Sequence, residues 1–160
     1  MLSTKCVLSY KYNMVTRDTE ITETNSEQDT IAFAQKFAKN LKSGDIVFLQ
    51  GDLGAGKSVF ARAIIRTLCD DMGMEVPSPT FTLVQTYDAS LGAIWHFDLY
   101  RLSDVSEVYE LGWEEALGEG LLLIEWPERL GYLVPDQYVE VNLSIGDKPD
   151  DRVIEVICHD

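Results

Sequence analysis

The sequence predicts an α/β fold in which a mixed parallel and antiparallel sheet is flanked by helices. Two short, uninterrupted apolar runs, at 46–49 and 121–124, are typical of strands that are buried on both faces of a sheet. Two stretches, at 26–42 and 57–70, place apolar residues at three- and four-residue steps, which is the spacing of amphipathic helices. Elsewhere, neighbouring β-rich segments are separated by short turns, which favours antiparallel pairing.

The first half of the domain is predicted to run helix, strand, glycine-rich loop and helix. Thr24 or Ser26 can cap the first helix, and the acidic residues of its first turn suit the positive end of the helix dipole. Gly44 is a natural residue to end it, because glycine readily adopts the left-handed conformation found there. The expected elements are a helix at 26–42, a strand at 46–49, a loop at 51–56 and a helix at 57–70.

The second half is predicted to contain more strand than helix. Gly112 interrupts a stretch with helical spacing, so only short helical pieces are expected around it. The expected elements are a hairpin at 81–87 and 93–100, helical pieces over 104–117, a buried strand at 121–124 and two strands at 138–145 and 152–158. The first 18 residues carry no clear pattern. We therefore expect a leader over 1–18 and one domain over 19–160.

Size and charge narrow the range of functions. The chain has 160 residues, about one domain's worth. It carries 13 basic and 27 acidic residues, a formal charge of −14, which argues against binding DNA or RNA directly because phosphate backbones are repelled. No apolar run approaches the ~20 residues that a membrane helix needs, and the N-terminus lacks the apolar centre of a secretory signal. We expect a cytoplasmic protein with no membrane partner.

Residues 51–58, GDLGAGKS, fit the phosphate-binding pattern G-x-x-x-x-G-K-[ST]. Glycines let the backbone curl so that successive N–H groups face phosphate oxygens, and the following helix adds its positive N-terminal end. Lys57 supplies a mobile charge for the phosphates, and Ser58 offers a hydroxyl to Mg²⁺. An accidental glycine turn is the alternative, but the motif follows a predicted buried strand and precedes a predicted helix. The sequence therefore predicts a single P-loop NTPase domain.

A P-loop site needs a carboxylate near the metal, usually at the end of a neighbouring apolar strand. Glu125 directly follows the apolar run at 121–124 and is the stronger candidate. Asp98 lies near the end of the second hairpin strand, where an ion pair with Arg101 would explain it equally well. Thr80 is a candidate switch-like hydroxyl facing the γ-phosphate, although its loop also fits an ordinary connection. Residues interpreted as core are Trp95, His96, Phe97 and Trp126.

Four segments of the chain match a known family in order and spacing. They are GDLGAGKS at 51–58, SPTF at 78–81, HFDLYRL at 96–102 and LIEWPERL at 123–130. Together they resemble the TsaE family, small bacterial ATPases of tRNA threonylcarbamoyladenosine biosynthesis, over most of the chain. The resemblance implies ATP and Mg²⁺ binding and partnership with a TsaB–TsaD complex that modifies adenosine in tRNAs reading ANN codons. ATP hydrolysis would keep that complex turning over, and tRNA would be contacted only through the partners.

The resemblance also implies roles for individual residues. Residues 53–58 match the family's phosphate contacts, and Ser58 and Glu125 match its magnesium site. Asp98 matches a functionally important aspartate, and Thr80 falls in the loop near the γ-phosphate. The catalytic residues so implied are Lys57, Thr80, Asp98 and Glu125. The nucleotide-binding residues so implied are Glu27, Leu53, Gly54, Ala55, Gly56, Lys57 and Ser58.

Two other functions stay open on the sequence alone. A small P-loop kinase would need a lid with several arginines, yet Arg101, Arg129 and Arg152 are scattered along the chain. A nucleotide-gated binding protein with little turnover would use the same P-loop. No arginine lies within the P-loop, the SPTF segment or the strand before Glu125. We therefore expect slow hydrolysis by the isolated protein and activation by a positive charge supplied in trans.

Overall fold

The computed structural model describes residues 19–160, so the leader predicted over 1–18 lies outside the described residues. The strands are β1 (Thr19–Thr24), β2 (Ile46–Gln50), β3 (Val84–Ala89), β4 (Gly92–Asp98), β5 (Gly120–Glu125), β6 (Tyr138–Ile145) and β7 (Arg152–His159). The helices are α1 (Glu27–Ala38), α2 (Lys57–Leu68), α3 (Glu107–Glu110) and α4 (Trp113–Glu119), with a 3₁₀ helix at Pro127–Leu133.

The seven strands form one sheet in the order β1-β7-β6-β2-β5-β4-β3. Strands β6, β2, β5 and β4 are parallel, β3 runs antiparallel to β4, and β7 runs antiparallel to both β6 and β1. The mixed sheet and the predicted hairpin are thereby confirmed. Because parallel strands end at the same edge of a sheet, the segments that follow β2, β4 and β5 meet there.

The apolar strands bury side chains on both faces of the sheet, and helices cover each face. Val47 and Leu49 of β2 belong to one core cluster with residues of α1 and α2, including Phe60. Phe48, between them in sequence, belongs to the opposite cluster, which includes Trp113 of α4. Full burial of such a side chain contributes about 1.5–3 kcal/mol to folding. Burial on both faces explains why the predicted strands at the sheet centre read as continuous apolar runs.

The first helix is capped by Ser26 and ends four residues earlier than predicted. The Ser26 Oγ accepts from the Asp29 N–H at 3.1 Å, and the helix ends at Ala38. Gly44 has a φ of +94°, but it lies in the turn before β2, where its N–H donates to the Gly120 carbonyl at 2.9 Å. Gly44 therefore forms the turn that leads into β2, and the prediction that it ends the first helix is wrong.

Two elements were not predicted, and one strand starts later than predicted. Strand β1 has the sequence TEITET at the edge of the sheet, and its one apolar side chain, Ile21, is exposed, so it has no apolar pattern to detect. The 3₁₀ helix follows Trp126, whose φ is +58°. Strand β3 begins at Val84 because Leu83 has a φ of +66°, which interrupts the extended backbone. No helix between residues 19 and 160 is long and apolar enough to cross a membrane.

Candidate nucleotide-binding site

The P-loop leaves the carboxyl end of β2 and enters α2. Gly51, Gly54 and Gly56 have φ angles of +144°, +79° and +107°, which residues with side chains rarely adopt. A Cβ atom on Gly51 would lie 2.3 Å from the carbonyl oxygen of Leu143, so the loop also passes too close to β6 for a side chain. Gly56 offers no side-chain cap to α2, and the first helical turn holds no acidic residue. The free N–H groups and the positive end of the helix dipole therefore suit an anion.

The side chain of Lys57 folds back along the loop and is buried. Its Nζ donates to the carbonyl oxygens of Gly51 and Asp52 and lies 4.3 Å from the ring centroid of Trp126. Burial lowers the pKa of Lys57, while nearby carboxylates, first among them Glu125, act to raise it. A charge on a flexible four-carbon chain can exchange these carbonyls for phosphate oxygens without a change of the backbone.

The Ser58 hydroxyl and the Glu125 carboxylate meet where α2 starts and β5 ends. Ser58 Oγ lies 3.4 Å from each carboxylate oxygen of Glu125. Oε1 of the same carboxylate lies 2.8 Å from Nε2 of His96. A hydroxyl and a carboxylate are oxygen ligands of the kind that Mg²⁺ prefers, so this pair fits the predicted metal. Among residues 19–160 no group of three His, Cys, Asp or Glu side chains is placed to hold a metal ion.

Asp98 lies beside Glu125, because the two residues pair in register at the ends of β4 and β5. Its Oδ2 accepts from Thr80 Oγ1 at 3.0 Å and from Ser78 Oγ at 3.4 Å. The same carboxylate accepts from the backbone N–H of Tyr100 at 3.0 Å. The loop that follows α2 is therefore tied to the end of β4 through one buried carboxylate.

The alternative interpretation of Asp98 as an ion-pair partner of Arg101 is wrong. The Arg101 guanidinium is exposed and lies 4.4 Å from the ring centroid of Phe81 instead. The Asp98 carboxylate finds its partners in the Thr80 hydroxyl and in the backbone, as described above. Strand geometry separates the two side chains, because Asp98 closes β4 inside the sheet and Arg101 follows it on the surface.

A cavity of about 380 Å³ joins these groups, within the ~300–1,000 Å³ usual for ligand pockets. Nine of the ten predicted site residues line it: Glu27, Leu53, Gly54, Gly56, Lys57, Ser58, Thr80, Asp98 and Glu125. The tenth, Ala55, is buried behind the loop, where its carbonyl oxygen accepts from Nε of Arg152 at 2.8 Å. Residues as far apart in the sequence as Glu27 and Arg152 are thus gathered around one cavity.

Residues 24–154 match the family model described as threonylcarbamoyl adenosine biosynthesis protein TsaE. The chain belongs to the TsaE family. It is 50% identical over 135 residues to a Rickettsia conorii protein named tRNA threonylcarbamoyladenosine biosynthesis protein TsaE, covering 84% of this chain and 76% of that one. An Aquifex aeolicus protein of the same name is 37% identical over 131 residues, covering 82% and 81%. The fold matches the crystal structure of Bacillus subtilis YdiB with a TM-score of 0.71 at 24% identity, over 92% and 90% of the two chains.

Three residues of this candidate site are not among those predicted from the sequence of this TsaE-family chain. Trp126 packs against the core as the sequence predicts, and it also lines the cavity and lies next to Lys57. His96 is buried as interpreted, yet it also contacts Glu125. Arg152 lies far from the P-loop in the sequence, yet its side chain contacts that loop. The position of Trp126 directly after Glu125 was a usable signal, whereas nothing in the sequence brings Arg152 to residues about a hundred positions earlier.

Proposed function

We propose that this protein is an ATP-binding and ATP-hydrolysing subunit required for threonylcarbamoyl modification of adenosine in tRNAs that read ANN codons. The family and the names of its relatives support the tRNA-modification role. The observation that carries the ATPase assignment is the contact of Ser58 with Glu125 inside the cavity formed by the P-loop. A hydroxyl after the P-loop lysine beside a strand-end carboxylate is the arrangement that P-loop enzymes use to hold the metal of a nucleoside triphosphate.

The residues of the site divide the work of hydrolysis between binding and orientation. The P-loop N–H groups and Lys57 bind the phosphates, and Ser58 and Glu125 would hold Mg²⁺. Bound Mg²⁺ neutralises charge that develops on the phosphate oxygens. The Asp98 carboxylate fixes the hydroxyl of Thr80 at the cavity wall, where Thr80 can orient the γ-phosphate or the attacking water. Glu27, at the start of α1, lies on the same cavity and is positioned to contact the nucleotide.

We further propose that the isolated protein is a weak ATPase and that a TsaB–TsaD complex activates it. An arginine supplied in trans can accelerate P-loop hydrolysis by about 10³–10⁵. Within this chain, Arg101 lies over Phe81 and Arg152 contacts backbone carbonyls, so neither side chain is placed as such a finger. A charge of −14 favours encounter with a cationic protein surface and disfavours direct contact with nucleic acid, so tRNA is reached through the partners.

The test is steady-state hydrolysis of labelled ATP, with and without TsaB–TsaD at matched salt, with Lys57→Ala as the blank. The proposal predicts slow phosphate release that the partners accelerate and that Lys57→Ala abolishes. Transfer of label to a small molecule would show a kinase instead. ATP-dependent partner binding without turnover would show a nucleotide-gated binding protein. Fast hydrolysis that the partners leave unchanged would overturn the proposed mechanism.

A further inference from the structure

Arg152 is the first residue of β7 and lies where this strand is paired on both sides. Its backbone pairs with Ile145 of β6 on one side and with Thr24 of β1 on the other. Side chains alternate along a strand, so Arg152 shares a face with Ile154 and Val156, both of which lie in the core cluster formed with α1 and α2. The P-loop crosses the edge of that same face. The Arg152 side chain therefore extends to the P-loop from a backbone position that is held in the sheet by both neighbouring strands.

The guanidinium of Arg152 binds four backbone carbonyl oxygens. Nε donates to Ala55 at 2.8 Å and Nη2 to Gly54 at 3.3 Å, both in the P-loop. Nη1 donates to Pro149 at 2.7 Å and to Asp151 at 2.8 Å, in the turn between β6 and β7. Within residues 19–160, no carboxylate lies within ion-pair distance of this guanidinium. No acid in the described part of the chain therefore pairs with this charge, although the side chain lies on the cavity wall.

These contacts orient the peptide groups of the loop. The C=O and N–H of one trans peptide unit point in opposite directions. When Arg152 holds the carbonyl of Ala55, the N–H of Gly56 must point away from the guanidinium, and that N–H has no acceptor among residues 19–160. When Arg152 holds the carbonyl of Gly54, the N–H of Ala55 turns the other way, where it donates to Asp52 at 3.0 Å. Both donors thus take fixed directions before any nucleotide arrives.

We infer that Arg152 is a positioning residue that holds the P-loop in its phosphate-binding conformation. Glycines make this loop possible, but the freedom that they provide must be restrained before the N–H groups can converge on an anion. The hairpin of β6 and β7 supplies that restraint at two places, through Arg152 at Gly54 and Ala55 and through the close passage of Gly51 over Leu143. The inference rests on the proposed nucleotide binding.

The test measures ADP binding by titration calorimetry for Arg152→Lys and Arg152→Met, with Lys148→Met as the matched control. Lysine keeps the charge but cannot span the four carbonyls, so we expect both Arg152 variants to lose about tenfold in ADP affinity. Lys148 lies on the same turn and is exposed, so Lys148→Met removes the same charge and should bind like the wild type. When partner-stimulated hydrolysis is measured across an ATP series, KM should rise by more than kcat falls, because the loop N–H groups contribute mainly to binding of the phosphates.

Hydrogen exchange of the nucleotide-free protein separates this inference from a general loss of stability and from the proposed function. Arg152→Lys should speed exchange of the Ala55 amide, which donates within the loop, and leave the amides of β5 unchanged. The inference would be overturned if Arg152→Lys bound ADP as tightly as the wild type, or if Lys148→Met lost as much ADP affinity as the Arg152 variants. It would also be overturned if amide exchange in Arg152→Lys rose throughout the sheet. A wild-type protein that binds no ADP would refute the proposed function, and the exchange measurement would still decide whether Arg152 orders the loop.

Discussion

The imidazole Nε2 of His96 lies 2.8 Å from Oε1 of Glu125, and both side chains are almost completely buried. His96 is on β4 and Glu125 ends the adjacent β5, two positions beyond the residue that pairs with His96. The His96 ring therefore contacts the same carboxylate that Ser58 contacts in the cavity. Under the proposed function, this contact orients the carboxylate that would hold Mg²⁺.

Removal of this support should impair hydrolysis. His96→Ala leaves the buried Glu125 carboxylate short of a donor, so partner-stimulated ATPase should fall about 10–100-fold and require more Mg²⁺. Stability should fall by about 1–3 kcal/mol in a denaturant titration. His96→Gln, which can place a nitrogen donor near the position of Nε2, is expected to recover much of the activity. If His96→Ala and His96→Gln titrate with Mg²⁺ like the wild type, His96 does not position Glu125.

Lys57→Ala should weaken nucleotide binding, because it removes the charge that the P-loop places beside the phosphates. We expect the ATP and ADP affinities to fall about 10–100-fold, the value of a charge-assisted hydrogen bond. Binding is measured by titration calorimetry on protein shown to be folded by circular dichroism. Lys148→Ala, an exposed lysine that does not line the cavity, is the control for lost charge. Equal affinities in Lys57→Ala and the wild type would remove the P-loop assignment.

Glu125→Gln and Asp98→Asn should separate the roles of the two neighbouring carboxylates. Each change keeps the size of the side chain and removes its charge. We expect Glu125→Gln to lower hydrolysis about a hundredfold or more with little loss of ADP affinity, because the metal matters most as charge develops on the phosphates. The readout is partner-stimulated phosphate release across a Mg²⁺ series, with Glu119→Gln, an exposed residue at the end of α4, as the control. Normal turnover in Glu125→Gln together with loss in Asp98→Asn would assign the metal to Asp98.

The hydroxyl of Thr80 should matter more than its methyl group. Thr80→Val keeps the shape but removes the 3.0 Å hydrogen bond to Asp98, so we expect hydrolysis to fall about tenfold. Thr80→Ser keeps the hydroxyl and should retain most of the activity. Both are compared by single-turnover ATP hydrolysis in the presence of TsaB–TsaD. Equal rates in the two variants would indicate that the loop at 78–81 is only a connection.

Most of the fold could be predicted because its elements have strong local patterns. The central strands β2 and β5 are continuous apolar runs, the helix after the P-loop has clear three- and four-residue spacing, and Gly112, with a φ of +88°, interrupts the helical stretch as expected. Strand β1 lacked such a pattern, because an edge strand with polar residues and an exposed Ile21 is held by backbone pairing with β7. The 3₁₀ helix was missed because it depends on the left-handed turn at Trp126.

The sequence by itself was enough to identify the residues that we propose carry the chemistry. A glycine-rich loop, its lysine and serine, and an acid after an apolar strand are local patterns, because their chemistry depends on neighbours in the chain. Only the tertiary structure decided which partners those residues meet. The order of the strands places His96 in contact with Glu125. Arg101 lies over Phe81 and away from Asp98, and Arg152 contacts the P-loop, which lies about a hundred residues earlier in the sequence. Such contacts arise from strand register and from the packing of the hairpin on the loop, and no pattern of adjacent residues encodes them.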